Sequence, residues 1–262
     1  MIKSIRPPAA AGSFYPADAA TLRTMVLDLL HAARSEGPLP KALIAPHAGY
    51  IYSGPVAASG YALLEPTGQR IERVVLVGPS HRVPFHGLAA TEADEFATPL
   101  GSVPIDRAGV ERVGQLPQVQ MLEAAHQQEH SLEVQLPFLQ TVLPDFSLVP
   151  LVIGQTDASE VEQVLDLLWS DDRTLVVASS DLSHYLDYYT ATAVDRETSE
   201  LIESLDWQTL RSERACGYLG IAGLLKLARR RGLRARCVDL RNSGDTAGPK
   251  DQVVGYGSYV IF

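Results

Sequence analysis

Short apolar runs alternate with amphipathic stretches along most of this 262-residue chain. Apolar runs bounded by Gly, Pro and polar residues are typical of buried strands, whereas apolar positions at helical spacing are typical of helices packed on one face. The pattern predicts strands at 41–45, 73–78, 147–153, 174–178, 235–240 and 253–261. It predicts helices at 19–33, 55–64, 107–116, 131–142, 158–169, 190–204 and 220–231.

The stretch from residue 86 to 105 contains short extended pieces with Pro and Gly, which predict an edge hairpin rather than a central strand. Gly255 and Gly257 lie inside the last predicted strand and favour a bend or a bulge there. Alternation of strands and helices predicts an α/β sandwich, with a central mainly parallel or mixed sheet flanked by helices. No linker or composition shift divides the chain, so we expect a single domain over residues 1–262.

The composition limits which kinds of partner and which cellular compartment we expect for this protein. The formal charge of −9 and the pI near 5.2 argue against nucleic acid, because phosphate binding needs a concentrated basic surface. The sequence has no apolar run of membrane-spanning length and no signal-peptide core. Cys216 and Cys237 lack metal-finger spacing, which favours free thiols in a reducing compartment. We therefore expect a cytoplasmic protein without a membrane partner.

Four polar segments follow predicted strands, and each carries a residue that can bind or activate a metal. They contain His47, His81, the pair Asp181 and His184, and Asp245. Ligands of open α/β sheets bind beyond the carboxyl ends of the strands, so these segments predict one shared site.

His47, His81 and Asp245 form a possible first set of metal ligands. Two imidazoles and one carboxylate are the ligands of the facial triad that binds non-haem Fe(II) and leaves positions open for oxygen and substrate. The same set suits zinc, so ligand type alone does not choose the metal. Each histidine taken singly is also compatible with a half-buried, hydrogen-bonded structural role.

Asp181 and His184 are candidates for proton transfer. A histidine beside a metal is a natural general acid or base, and Asp181 could orient it or simply cap the following turn. His130, Tyr50, Tyr52 and Ser53 are predicted to line the same pocket, although packing would explain the two tyrosines equally well. Cys216 opens a helix, where a thiol can have a lowered pKa, but a buried inert thiol is the favoured interpretation.

A rival motif is His126-Gln-Gln-Glu129-His130, which matches the H-x-x-E-H pattern of inverted zinc peptidases. Two histidines four residues apart on one helix would share a face and could chelate zinc. The segment lacks helix-forming context upstream and an assigned third ligand, so we favour His130 or Glu129 as part of the strand-end site.

The chain resembles the Memo family in ordered motifs that run nearly from end to end. The matching pieces are Arg6 with Ala11-Gly12-Ser13-Phe14-Tyr15-Pro16, Pro46-His47-Ala48-Gly49-Tyr50-Ile51-Tyr52-Ser53-Gly54, Gly78-Pro79-Ser80-His81, Glu129-His130-Ser131-Leu132-Glu133-Val134-Gln135-Leu136-Pro137, Ser179-Ser180-Asp181-Leu182-Ser183-His184 and Ser243-Gly244-Asp245.

The resemblance implies a fold similar to the class III extradiol dioxygenases. It also implies metal binding at His47 and His81 and a catalytic base at His184. The dioxygenases use Glu as third ligand where this chain offers Asp245, and animal Memo proteins carry Cys there and are linked to copper and redox chemistry. Bacterial relatives often accompany a radical-SAM protein, which implies a possible pathway partner.

The leading hypothesis is therefore an oxidoreductase that uses Fe(II) or copper on an unknown small substrate. The alternative is a protein that binds a small molecule or peptide in the same pocket without turnover, since one fold hosts many functions.

Overall fold

The computed structural model describes residues 3–33, 36–65 and 70–262. The strands are β1 Ile5–Arg6, β2 Ala42–Ala45, β3 Arg73–Pro79, β4 Leu88–Ala90, β5 Glu95–Thr98, β6 Gly101–Pro104, β7 Val119–Met121, β8 Ser147–Ile153, β9 Thr174–Ser179, β10 His184–Leu186, β11 Ala235–Asn242 and β12 Val253–Ile261. The helices are α1 Ala19–Ala32, α2 Tyr50–Tyr61, α3 Arg107–Val113, α4 Glu123–Gln127, α5 Leu136–Val142, α6 Ala158–Leu168, α7 Tyr188–Glu203, α8 Tyr218–Arg230 and α9 Ser243–Thr246.

The main sheet is mixed, with a parallel centre. Its order is β10-β12-β2-β9-β3-β8-β4-β7, and β11 pairs with β12. The strands β2, β9, β3 and β8 are parallel, and their registers place Ala45 opposite Ser179 and Pro79 opposite Ile153. The segments that follow these strands therefore leave the sheet at one edge, where α/β proteins bind ligands.

Two groups of helices cover this sheet. The helix α8 contacts β3 and β9 and packs on α6, whereas α2 contacts β2, β11 and β12 and packs on α1. Every residue of β2 and β9 is buried, as expected for parallel strands covered on both faces. A site beyond the carboxyl ends of these buried strands therefore rests on a well-packed part of the sheet.

The predicted edge hairpin is present but belongs to a second, smaller sheet. β5 and β6 pair antiparallel, and β1 from the N-terminal segment joins β5 in parallel. After β1, the N-terminal segment reaches the cleft at the carboxyl edge of the main sheet, where Phe14 lies against His130. Among the described residues, no helix has the length and apolar content needed to cross a bilayer.

The helix α2 begins five residues before the predicted start at residue 55, directly after Gly49. Pro55 lies inside this helix, and the main-chain N–H groups of Tyr52 and Ser53 bond to the Gly49 carbonyl. Gly60 packs against Ser258 of β12 so closely that a Cβ would lie 2.4 Å from the serine hydroxyl. Close packing against the sheet therefore stabilises α2, although a proline and glycines inside a helix weaken it.

Candidate metal centre and cleft

His47 follows β2 and is held by the end of the neighbouring strand β9. Its Nδ1 lies 2.9 Å from the Ser179 hydroxyl oxygen. That hydroxyl donates to the Ser131 carbonyl at 2.6 Å and accepts from the Gln135 side-chain amide at 2.8 Å. Because the hydroxyl proton is already used, His47 Nδ1 must donate, and Nε2 keeps its lone pair. Nε2 lies 3.2 Å from the Cys216 sulfur.

His81 follows β3 and is held by the buried carboxylate of Glu129. Glu129 Oε1 lies 2.8 Å from His81 Nδ1, and Oε2 accepts the main-chain N–H of His81 at 2.6 Å. Burial alone would raise the pKa of Glu129, but hydrogen bonds from His81 and the main chain lower it to about 2. An ionised carboxylate only accepts, so His81 Nδ1 donates to Glu129, and in the neutral ring Nε2 is the unprotonated nitrogen.

Cys216 brings a thiol to these two histidines. Among the described residues, ligand atoms of His47, His81 and Cys216 all lie within 4.8 Å of one another. An overlapping group consists of His81, Glu129 and His130. Burial, and then the Asp181 charge, raises the pKa of Cys216 to about 12. A bound metal would deprotonate such a thiol outright, so the donor set fits a transition metal.

Burial keeps His47 and His130 neutral. It lowers the pKa of His47 to about 3, and the neighbouring His81 adds to this effect. Burial also lowers the pKa of His130 to about 4, with His47 next in importance. Neutral imidazole is the form that binds a metal, and these side chains reach it without help from high pH.

The cluster opens into a cleft of about 980 Å³. The N-terminal segment forms one wall, where the Phe14 ring stacks on His130 with 4.3 Å between centroids. Other lining residues include His47, His81, Asp181, His184, Cys216, Tyr52, Tyr185 and Tyr256. The structure thus brings together five residues that the sequence predicts for one site: His47, His81, His130, Asp181 and His184.

The expected pairing of Asp181 with His184 needs correction. His184 Nδ1 lies 2.8 Å from the Leu182 carbonyl oxygen, which can only accept. Asp181 Oδ1 instead accepts the main-chain N–H of His47 at 2.7 Å, and burial raises the pKa of this carboxyl group. The Leu182 carbonyl therefore orients His184, with Nε2 left as the possible proton acceptor, while Asp181 holds the turn after β2.

Asp245 does not join the cluster, which corrects the predicted third ligand. Its Oδ2 accepts the main-chain N–H of Asn242 at 3.0 Å, and its Oδ1 accepts the Tyr188 hydroxyl at 2.7 Å. The first bond is half of a capping box that starts α9, so this carboxylate is used at the helix terminus. The segment reaches the cleft through Ser243 instead.

Tyr50 and Ser53 do not line the cleft, contrary to the prediction. The Tyr50 ring is buried against Phe138, and its hydroxyl donates to the Val134 carbonyl at 2.6 Å. The Ser53 hydroxyl donates to the Ala48 carbonyl at 2.8 Å within the first turn of α2. The early start of α2 causes both errors, since it turns these positions toward the core and Tyr52 toward the cleft.

The rival peptidase geometry is not formed. The helix α4 ends at Gln127, so His126 and His130 do not share a helix. His126 is buried with Nε2 3.0 Å from the Ala89 carbonyl oxygen and its ring against Phe96, whereas His130 stacks on Phe14 and His81.

Sequence reasoning missed Cys216, Tyr185 and Tyr256, whereas it named Tyr52, which the structure places in the cleft lining. The one signal for Cys216 was its place before a helix, and the favoured interpretation was an inert thiol. Its main-chain N–H bonds to the Asp181 carbonyl at 3.3 Å, which brings the loop before α8 to the end of β9. This contact depends on tertiary structure and has no spacing signature in the sequence.

The protein is an α/β protein with a mixed sheet and a histidine-rich cleft at the carboxyl edge of that sheet. Sequence comparison identifies its family. The family model described as Memo-like protein matches residues 6–260. A MEMO1 family protein of Archaeoglobus fulgidus is 37% identical, over 98% of this chain and 99% of its own length. A MEMO1 family protein of Saccharolobus solfataricus is also 37% identical, over 96% and 97%. The chain belongs to the Memo family, as its motifs predicted.

A solved structure supports the fold. An uncharacterized protein from Escherichia coli K12 superposes with a TM-score of 0.58 at 16% identity, over 85% of this chain and 100% of that one. The predicted α/β fold is confirmed, and it is consistent with the class III extradiol dioxygenase-like fold that the resemblance implies.

Proposed function

We propose that the cleft is a metal centre for redox chemistry on a small molecule, with His47, His81 and Cys216 as the ligands. The proximity of the three ligand atoms, all within 4.8 Å of one another, carries this proposal. The hydrogen bonds to Ser179 and Glu129 add support, because they direct an unprotonated Nε2 from each imidazole into the cluster. Such outer hydrogen bonds fix the orientation of metal-binding histidines in proteins.

The donor set favours copper over the alternatives. Two imidazoles and one thiolate are the ligands of trigonal copper sites, and the same set also binds zinc. Fe(II) in a facial triad would need a carboxylate in place of the thiol. Asp245 is engaged at the start of α9, and the Glu129 carboxylate near His81 and His130 already accepts the Nδ1 proton and the main-chain N–H of His81. Copper, when bound, would supply one-electron transfer between substrate and oxidant.

His184 is the proposed proton acceptor of this site. It lines the cleft, and the Leu182 carbonyl fixes its Nδ1 proton, so Nε2 is free to take a proton from a substrate. A positioned imidazole with a free ring nitrogen suits this role. The radical-SAM pathway partner remains a prediction of the family resemblance.

Metal titration of four variants tests the ligand set. We expect His81→Ala and Cys216→Ser to lose tight copper binding, and Cys216→Ser to lose any thiolate-to-copper absorption band. Asp245→Ala and Cys237→Ser should keep both properties, because Asp245 caps α9 and Cys237 belongs to β11. Cys237→Ser is the matched control for removal of a thiol elsewhere in the chain.

The opposite result would favour the ligand set predicted from the sequence, which is His47, His81 and Asp245. If Asp245→Ala released the metal while Cys216→Ser retained it, α9 would have to open so that a carboxylate could reach the two histidines. The alternative function, binding without turnover, is supported by the size of the cleft, which suits a small-molecule ligand with or without a metal.

A further inference from the structure

The charged groups of the cleft are all acidic apart from its histidines. Among the described residues that line it, there is no lysine or arginine, whereas Asp181 and Glu213 contribute carboxyl groups. The whole chain carries a formal charge of −9. Sites for phosphate or carboxylate ligands use Arg and Lys as partners, so this cleft is poorly suited to an anion.

Aromatic rings line the cleft beside the metal-binding cluster. They belong to Tyr52, Tyr185 and Tyr256, with Phe14 on the opposite N-terminal segment. Tyr256 is 2% exposed and lines the cleft, and its hydroxyl makes no hydrogen bond within the described parts of the chain. This hydroxyl is not one of the fully buried polar atoms without a partner, so it is accessible from the cleft and available to a ligand.

The groups that act on Tyr256 show what surrounds it. Burial raises the pKa of Tyr256, and the next contributions come from Asp181, Tyr52 and Tyr185. Asp181, whose carboxyl group accepts the main-chain N–H of His47, and these three phenol rings all line the cleft. We call this set, consisting of Tyr52, Asp181, Tyr185 and Tyr256, the tyrosine end.

The backbone conformation and the exposure of Tyr185 indicate a functional role. Its φ of 59° lies in the left-handed region, where a non-glycine residue is strained, and its side chain is 70% exposed. The ring contacts His184, with 5.7 Å between centroids. A strained backbone that presents a large aromatic ring to solvent at the mouth of a cleft gains nothing from core packing.

From these observations we infer that the tyrosine end binds a small organic cation, an amine in its ammonium form. Electron-rich ring faces attract ammonium groups, and a carboxylate at the rim, Glu213, adds electrostatic attraction. The phenol oxygen of Tyr256 and the Asp181 carboxyl group can accept the ammonium hydrogens. This inference deepens the proposed function and rests on it, since the amine would be the substrate or ligand presented to the metal centre.

Three probes that differ mainly in charge test this inference by calorimetry on the full chain. They are phenethylamine, its neutral analogue 2-phenylethanol and the anion 3-phenylpropanoate. We expect the amine to bind about tenfold more tightly than the alcohol, as a desolvated cation–π contact with a nearby carboxylate would give, and the anion to bind least. The measurement is made on metal-free and on copper-loaded protein.

Variants then locate the binding. Tyr256→Leu and Glu213→Gln should each weaken amine binding about tenfold and leave the alcohol nearly unchanged, because both remove attraction for a cation. Glu213 is exposed, so its variant remains informative if Tyr256→Leu folds poorly. Asp172→Asn is the matched control, since this exposed acid precedes β9 at the opposite edge of the sheet.

Equal affinity for amine and alcohol, tighter binding of the anion, or no heat with the amine would each overturn the inference. None of these results would affect the proposed metal ligands, because copper binding by the Cys216 and Asp245 variants is measured without any amine. Loss of the metal site with retained amine binding would overturn the proposed function alone.

Discussion

Glu129 is the residue on which the orientation of His81 depends. Its carboxylate accepts both the Nδ1 proton and the main-chain N–H of His81, and Oε1 also accepts from Ser131 at 2.9 Å. Glu129→Gln would place an amide N–H against one of these donors and weaken the fixed tautomer. We expect copper affinity to fall about 10- to 100-fold, the usual effect of losing such an outer partner. Competition titration against a chelator of known affinity measures this change.

Glu123→Gln is the matched control for Glu129. Glu123 lies nearby on α4, but its carboxylate bonds to the Thr91 hydroxyl and contacts no histidine of the cluster. Copper affinity should therefore stay at the wild-type value. Equal losses in the two variants would mean that any change of charge in this segment disturbs the site, and the specific role of Glu129 would be wrong.

His126 gives the stability of the protein a defined pH dependence. Burial lowers its pKa from 6.5 to about 4, so below pH 6.5 the unfolded chain binds a proton that the folded chain does not. Stability contributed by neutral His126 is thus lost as the pH falls from 6.5 to about 4. His126→Gln keeps an N–H donor for the Ala89 carbonyl and should flatten this slope by up to ~1.4 kcal/mol per pH unit. Urea unfolding at several pH values measures the slope, and an unchanged slope would contradict the prediction.

The sequence could identify histidines of the cleft but not the third ligand. His47 and His81 directly follow buried strands, and the sheet itself brings such positions together. Asp245 also follows a strand, but a capping bond within three residues engages its carboxylate. Cys216 reaches the cluster only because the loop before α8 bonds to the end of β9, and such a contact leaves no periodic pattern.

At the scale of elements, one buried carboxylate attaches the N-terminal segment to the rest of the molecule. Glu133 accepts from Arg6 at 2.7 Å, from the main-chain N–H groups of Ala9 and Ala10 at 2.7 and 2.8 Å, and from the Tyr15 hydroxyl at 2.5 Å. Glu133→Ala would leave Arg6 as a buried, unpaired charge, and such losses typically cost about 3–5 kcal/mol. Chemical denaturation should show a loss of this size.

The same segment supplies a control on its exposed side. Lys3 forms an ion pair with Glu95 on the surface, and its side chain is largely in solvent. Exposed pairs contribute little, so Lys3→Ala should leave the unfolding curve nearly unchanged. A Glu133 variant as stable as the Lys3 variant would mean that the segment is held by packing alone.

Strands of the central sheet were predicted more accurately than the helix next to the site. The last strand has the predicted bounds, because a long apolar run with β-branched and aromatic residues admits few alternatives. The predicted start of α2 at Pro55 was five residues late, because the helix, which packs on β2 and β12, begins directly after Gly49 and contains the proline. Because of this error, Tyr50 and Ser53 were predicted to line the pocket, although they lie in the core.

At the scale of the whole molecule, the central strands position the site, and the surrounding loops complete the cleft. The parallel strands are buried on both faces and fix the positions of His47 and His81, while the N-terminal segment and the loops around β10 close the cleft. Histidine, thiol and phenol groups therefore meet on a rigid base with an open mouth. This arrangement serves an enzyme or a binding protein equally well, and only turnover distinguishes the two.

Replacement of His184 makes that distinction. If His184 Nε2 accepts a substrate proton, His184→Ala should bind copper as tightly as the wild type yet lose most turnover, since general acid–base groups typically contribute ~10²–10⁴-fold. Metal binding is spared because Cys216, His47 and His81 form the cluster without it. Oxygen consumption by protein loaded anaerobically with copper, and separately with Fe(II), is measured over a panel of amines and diphenols. A wild-type protein that consumes no oxygen with any of them would favour the binding function, because the metal and proton acceptor would then be present without a reaction.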